Sequence, residues 1–184
     1  MLRKTLLVFV LGVLMTPVLF AQVYLTRNGT IRFFSEASLE NIEATNRQVS
    51  SALNIENGEF VFRLPMRSFA FEKALMQEHF NDNFVESHKY PNASFEGEIH
   101  GFREADLLSG EEVEVMVEGE LTIKDVTKGI TERGTLRMED GDILGSAVFV
   151  IKPEEYNIRI PTRYVRNIAS EIEVFVDVRL SDKL

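Results

Sequence analysis

Residues 112–123, EVEVMVEGELTI, decide the fold. Val113, Val115, Val117, Leu121 and Ile123 alternate with Glu112, Glu114, Glu118, Glu120 and Thr122, and a period of two is that of a strand with one apolar and one charged face. The pattern returns near the C-terminus, where Ile172, Val174, Val176, Val178 and Leu180 interleave with Glu171, Glu173, Asp177 and Arg179. It returns again in Phe60, Phe62, Leu64 and Met66. Several antiparallel strands with one wetted face must cover the other, which requires a sandwich or a closed barrel.

Outward from that stretch, turn chemistry separates further strands. Asn28-Gly29 between residues 23–26 and 31–35, and Asn57-Gly58 between 48–55 and 59–66, are the strongest short hairpin signals. Later strands are expected over 93–104, 111–124, 127–138, 143–152 and 168–180, giving eight or nine in all. One segment departs from the period. Over residues 71–84 the apolar positions Phe71, Ala74, Leu75, Phe80 and Phe84 recur at helical intervals, predicting one amphipathic helix with Ser68 as cap and Asn83 near its stop.

The distribution of charge decides which kind of barrel this is. A membrane barrel turns apolar residues outward to lipid, and the glutamates sharing one face of residues 112–120 would each cost several kcal/mol in hydrocarbon. The expected fold is therefore an all-β, antiparallel, lipocalin-like barrel of about eight strands, wet outside and apolar inside. Eight strands enclose space that side chains fill or one small ligand occupies.

Bulk properties narrow the partners. Arg3 and Lys4 precede an apolar run over residues 6–20, the arrangement of an export leader cleaved after Ala21, with residues 22–184 as one domain. The run is too short and broken for a membrane span of about 20 residues. The chain carries a formal net charge of −9, which argues against nucleic acid. With no cysteine there is no disulfide scaffold, thiolate metal site, catalytic thiol or lipidated tether. A periplasmic or secreted protein is expected.

The segment 69–99, FAFEKALMQEHFNDNFVESHKYPNASFEGEI, closely resembles the YceI-like family of secreted lipid-binding proteins in its helix, its Lys89-Tyr90-Pro91 and the strand that opens at Ala93-Ser94-Phe95. Gly119 to Lys128 resembles that family's G-x-L-T-I-x-x-V-T-K hairpin, and Phe149-x-Ile151 followed by Tyr156-Asn157-Ile158 resembles its penultimate strand and turn. The resemblance covers residues 23–182. It implies a barrel whose lumen holds a long isoprenoid or similar fatty-acid-like lipid, with no other cofactor and no catalysis, and with transient membrane contact for loading. The family's common Asp-x-x-His-Ser opening is replaced here by Arg27-Asn28-Gly29-Thr30-Ile31.

Alternation selects the lumen candidates: Phe60, Phe62, Leu64, Met66, Phe95, Ile99, Val115, Val117, Leu121, Phe149, Ile151, Val174 and Val176, with Phe71, Leu75, Phe80 and Phe84 of the helix closing one end. Gly97 and Gly101 share the face of Phe95 and Ile99 and are expected to leave room inside. Candidate head-group contacts are His79 and His88 beside the helix, and Arg163 and Arg166, which with Arg159 and Tyr164 form a basic cluster suited to a pyrophosphate or carboxylate. The histidines form no spaced metal motif, and no serine sits in a nucleophile elbow. Two other readings stay open: an enzyme acting on such a lipid with His79 or His88 as base, and an interaction module with a filled barrel. Phe175, outward on its strand, hints at a self-contact, and oligomeric state stays open.

Overall fold

In the computed structural model, which describes residues 23–184, the period-two segments become strands. They are β1 Val23–Ser35, β2 Ile42–Asn54, β3 Glu59–Pro65, β4 Ala70–Phe71, β5 Asn92–His100, β6 Val113–Ile123, β7 Val126–Glu139, β8 Asp142–Ile151, β9 Ile172–Leu180 and β10 Asp182–Lys183. All pairings are antiparallel in the order β1-β9-β8-β7-β6-β5-β3-β2, and β2 pairs back onto β1. The result is a closed eight-stranded barrel, with β4 and β10 as two-residue additions beside β2 and β1. The leader expected over residues 1–21 lies outside the described residues.

Period two works here as anticipated. On β6, Glu114, Glu118 and Glu120 are exposed while Val115, Leu121 and Ile123 are buried. The β7–β8 turn places both Asp140 (φ 54°) and Gly141 (φ 87°) in the left-handed region, as a tight two-residue hairpin with right-handed strand twist requires.

Two local expectations need correction. Asn28-Gly29 is not a hairpin turn, because β1 runs straight through it with a shift of register against β2. The Asn28 N–H is taken by Thr26 Oγ1 at 3.2 Å, and a side chain at Gly29 would meet Val178 Cγ1 at 3.0 Å and Val49 Cβ at 3.2 Å. The glycine therefore marks close passage over neighbouring strands, a second use of the same residue type. The helix is also shorter than 71–84. Phe71 belongs to β4, α1 covers Ala74–His79, and the chain then widens into a π-turn, Phe80–Phe84. Ser68 caps nothing. Its hydroxyl donates instead to Gln48 Oε1 at 2.8 Å, and Lys73 stands at the helix start.

The two ends of the barrel differ. At one, a five-residue helix α2, Glu104–Leu108, is held by the Asp106 carboxylate, which accepts from the Arg103 backbone N–H at 3.0 Å and from its guanidinium at 2.6 Å. It places a fully buried Leu107 in one apolar cluster with Tyr24, Leu53, Ile99 and Val115. The other end is framed by α1, residues 36–41 and residues 158–168. The Leu39 N–H donates to the Arg166 carbonyl at 3.1 Å, and the Ala169 N–H to Ser35 Oγ at 2.9 Å, tying the two loops together.

Candidate ligand-binding lumen

A barrel whose inner face is apolar must fill its middle with side chains or leave space. This one leaves space. A cavity of about 560 Å³ runs from the framed end, past the Phe60 and Phe95 rings, to Leu136, Val178 and Leu180 near α2. That volume lies within the range of small-molecule sites, roughly 300–1,000 Å³.

The wall is built as alternation builds it. From β3 come Phe60, Phe62 and Leu64, with Met66 just after; from β5, Phe95 and Ile99; from β6, Val115, Val117 and Leu121; from β8, Phe149 and Ile151; from β9, Val174 and Val176. Phe71 of β4, Leu75 of α1 and Phe80 and Phe84 of the π-turn complete the framed end. All seventeen of these sequence candidates line the cavity.

The candidate polar contacts divide. His79 and Arg163 line the opening with Lys73, Tyr164 and Asn167, and the Arg163 guanidinium lies 4.8 Å from the Tyr164 ring centroid. The His79 ring is 6.1 Å from the same tyrosine. Lys73 is held by Glu40. His88 and Arg166 are exposed and stand outside the lining. Arg166 contributes its carbonyl to the loop tie, so the basic cluster reaches the opening through Arg163 alone.

Gly97 and Gly101 do not widen the lumen. Gly97 lies opposite Gly119 across β5 and β6, and the tip of the Phe95 ring covers both: Cζ would stand 2.9 Å and 2.7 Å from side chains placed there. The missing side chains make room for an aromatic ring laid along the wall. Gly101 lies beyond β5 in a bend with φ of 96°.

Sequence reading missed several wall residues. Ile31 and Phe33 of β1 were hidden by the supposed hairpin at Asn28-Gly29. Phe33 is central to the framed end, packing against Phe69, Phe71 and Phe80 at centroid distances of 5.3–5.7 Å. Ile130 and Glu132 of β7 also line the cavity. Their signal was the alternation Ile130, Glu132, Gly134, Leu136, in which an acid takes an inward position. Burial raises the Glu132 carboxyl above the usual carboxylate range.

Outside the lumen, one polar knot fixes the framed end. Lys124, in the β6–β7 turn with φ of 56°, donates to Glu86 Oε1 at 2.9 Å, to the Phe84 carbonyl at 3.3 Å and to the Asn157 carbonyl at 3.2 Å. Glu86 also accepts from Lys89 at 2.6 Å, and the two hydrogen bonds hold its carboxyl down to about 2. A turn residue thus anchors the π-turn and residues 153–157.

The architecture has known counterparts. Superposition on a polyisoprenoid-binding domain from Saccharophagus degradans, implicated in plant cell wall breakdown, gives a TM-score of 0.72 at 16% identity, covering 89% of this chain and 99% of that one. BcnA of Burkholderia cenocepacia gives 0.70 at 15% identity over 83% and 96%. The YCEI protein of Campylobacter jejuni gives 0.63 at 17% identity over 81% and 90%. Comparison with curated proteins returned no match. At these identities the likeness is one of fold. The sequence itself matches the YceI-like domain over residues 24–180, and with the motifs and the barrel in agreement the chain belongs to the YceI-like family.

Proposed function

We propose that this protein is a non-catalytic carrier, periplasmic or secreted, that holds a long isoprenoid or similar lipid chain in the barrel lumen. The observation that carries this reading is the continuous, almost wholly apolar cavity of about 560 Å³ inside a charged wall. Transfer of hydrocarbon out of water is favourable by about 0.8 kcal/mol per methylene, offset by the cost of ordering the chain. The closed end lies by Leu107, and His79, Arg163 and Tyr164 stand at the opening through which the chain would enter.

Three further features support it. The counterpart from Saccharophagus degradans is a polyisoprenoid-binding domain. The leader-like residues 1–21 suit export. At the open end Leu39, Leu75 and Val165 are 58%, 61% and 56% exposed, an apolar rim suited to brief contact with the membrane from which a lipid is taken. Of the two histidines offered as a base for a lipid-processing enzyme, His79 lines the opening and His88 stands outside the lining.

Organic extraction and native mass spectrometry of the purified protein test the proposal. A co-purified hydrophobic molecule, or stoichiometric uptake of added polyprenol by delipidated protein, is expected. Preparations that are always empty and take up no polyprenol would overturn it.

A further inference from the structure

The barrel wall is not hydrogen-bonded all the way round. The β7–β8 ladder runs from Glu139 opposite Asp142 to Gly134 opposite Ala147 and stops there, although β7 extends back to Val126 and β8 on to Ile151. On their other edges both strands stay paired, β7 with β6 as far as Val126 and β8 with β9 as far as Ile151. The wall is thus parted along a seam between residues 126–133 and 148–151. Lys128 Nζ, 2.8 Å from Glu155 Oε2 and lying over the buried Tyr156 ring, ties β7 to residues 153–156 at the far end of the seam.

Glu132 sits on this seam and faces inward. It is directly opposite Val117 on β6, and cross-strand partners share a face. Val117, Ile130 and Phe149 line the same cavity as Glu132. Burial raises its carboxyl, and the buried Tyr156 phenol lies near enough to feel its charge. A carboxylate in an apolar wall needs donors, and leaving it unsatisfied is costly. The side chain is only half-buried, so solvent water can supply them. A ligand that fills the lumen displaces that water and must supply a donor itself.

Building on the carrier reading, we infer that Glu132 is a specificity residue: the lumen prefers chains bearing a hydroxyl or amine placed at the β7–β8 seam, and discriminates against chains bearing a carboxylate. The polar group of the ligand then has a station in the side wall, separate from the opening beside Arg163. Neutral chains without a donor still enter, because the rest of the wall is hydrocarbon.

Competitive uptake tests this. Delipidated protein is offered equimolar hexadecanol, hexadecylamine, hexadecanoic acid and methyl hexadecanoate, and bound species are quantified by native mass spectrometry. Wild-type protein is expected to favour the alcohol and amine over the acid by about tenfold or more, as for a hydrogen bond to a charged group. Glu132→Leu brings the three within about twofold of one another, while methyl hexadecanoate binding persists and reports an intact lumen. Glu118→Leu, which removes an equal charge from the outer face of β6, leaves the wild-type ranking unchanged. The same ranking in wild type and Glu132→Leu, or an equal change with Glu118→Leu, overturns the role of Glu132 while the carrier reading stands. Failure of all four chains to bind wild-type protein that still takes up polyprenol overturns the role of Glu132 alone, and failure to take up polyprenol as well overturns both.

Discussion

Gly119 and Gly97 face one another across β5 and β6 with the Phe95 ring over them, and the space left for a side chain is negative. A methyl group at Gly119 would lie 2.4 Å from the Glu96 carbonyl oxygen and 2.6 Å from the Gly97 Cα. Both are backbone atoms, so the strands themselves would have to part. Gly119→Ala is therefore expected to cost about 1–3 kcal/mol, as overpacking does, read as a lower urea midpoint at unchanged slope. Glu86 shows a different single-residue control, through charge. Its hydrogen bonds to Lys89 and Lys124 depress the carboxyl from 4.5 to about 2 in the folded state. A depressed acid contributes stability that is complete above the unfolded value and is lost as the pH falls through the folded one. Wild-type stability should decline between about pH 4.5 and 2 in part for this reason. Lys124→Met removes one of the two donors, so stability measured by denaturant titration across that window should fall less steeply than in wild type. An unchanged slope would show that Lys124 does not carry the effect.

Elements decide which end of the barrel is shut. Helix α2 is only five residues long, so its stability comes from docking Leu107, which is wholly excluded from solvent, and from the Arg103–Asp106 cap. Leu107→Ala is expected to cost about 2–5 kcal/mol, the range for large-to-small core changes, and to speed amide exchange at Tyr24, Ile99 and Val115, which share its buried cluster. The same elements show what a sequence discloses. Strands β3, β5, β6, β8 and β9 were legible because apolar residues alternate along them, and thirteen wall residues followed from that alternation, with four more from the helical spacing over residues 71–84. Asn28-Gly29 misled because the dipeptide that makes a tight turn also serves where strands pass too close for a side chain. Helix α2 left no trace, since residues 104–108 are too few to display a 3.6-residue period. Glu132 was overlooked because an acid at an inward position breaks the binary pattern that revealed its neighbours, and the reason for its place lies in the pairing of β7 with β8, which no local pattern encodes.

For the molecule as a whole, closure and access are opposing demands. A fully paired barrel has no edges and protects its contents, yet the proposed lipid chain would have to enter and leave. Here the β7–β8 ladder stops short, leaving residues 126–133 and 148–151 unpaired with one another, and the exposed Val148 and Val150 lie along that seam. Amide exchange follows local opening, and unpaired backbone opens at little cost. In lipid-free protein the seam-facing amides of residues 127–133 and 148–151 are therefore expected to exchange well before those of β5 and of β9 up to Leu180. A bound chain spans both halves of the core, touching Phe60, Val117 and Val176, which pack against each of the two buried clusters. Loading with polyprenol at about one hundred times its dissociation constant should thus stabilise the entire barrel by about 2.7 kcal/mol, and should slow exchange on both sides of the seam together. Protection of the seam equal to that of β5 in the empty protein would mean that the wall is shut there and that lipid passes by the framed end alone. Fast exchange at the seam that ligand suppresses would make the gap part of the path, with Glu132 standing on it.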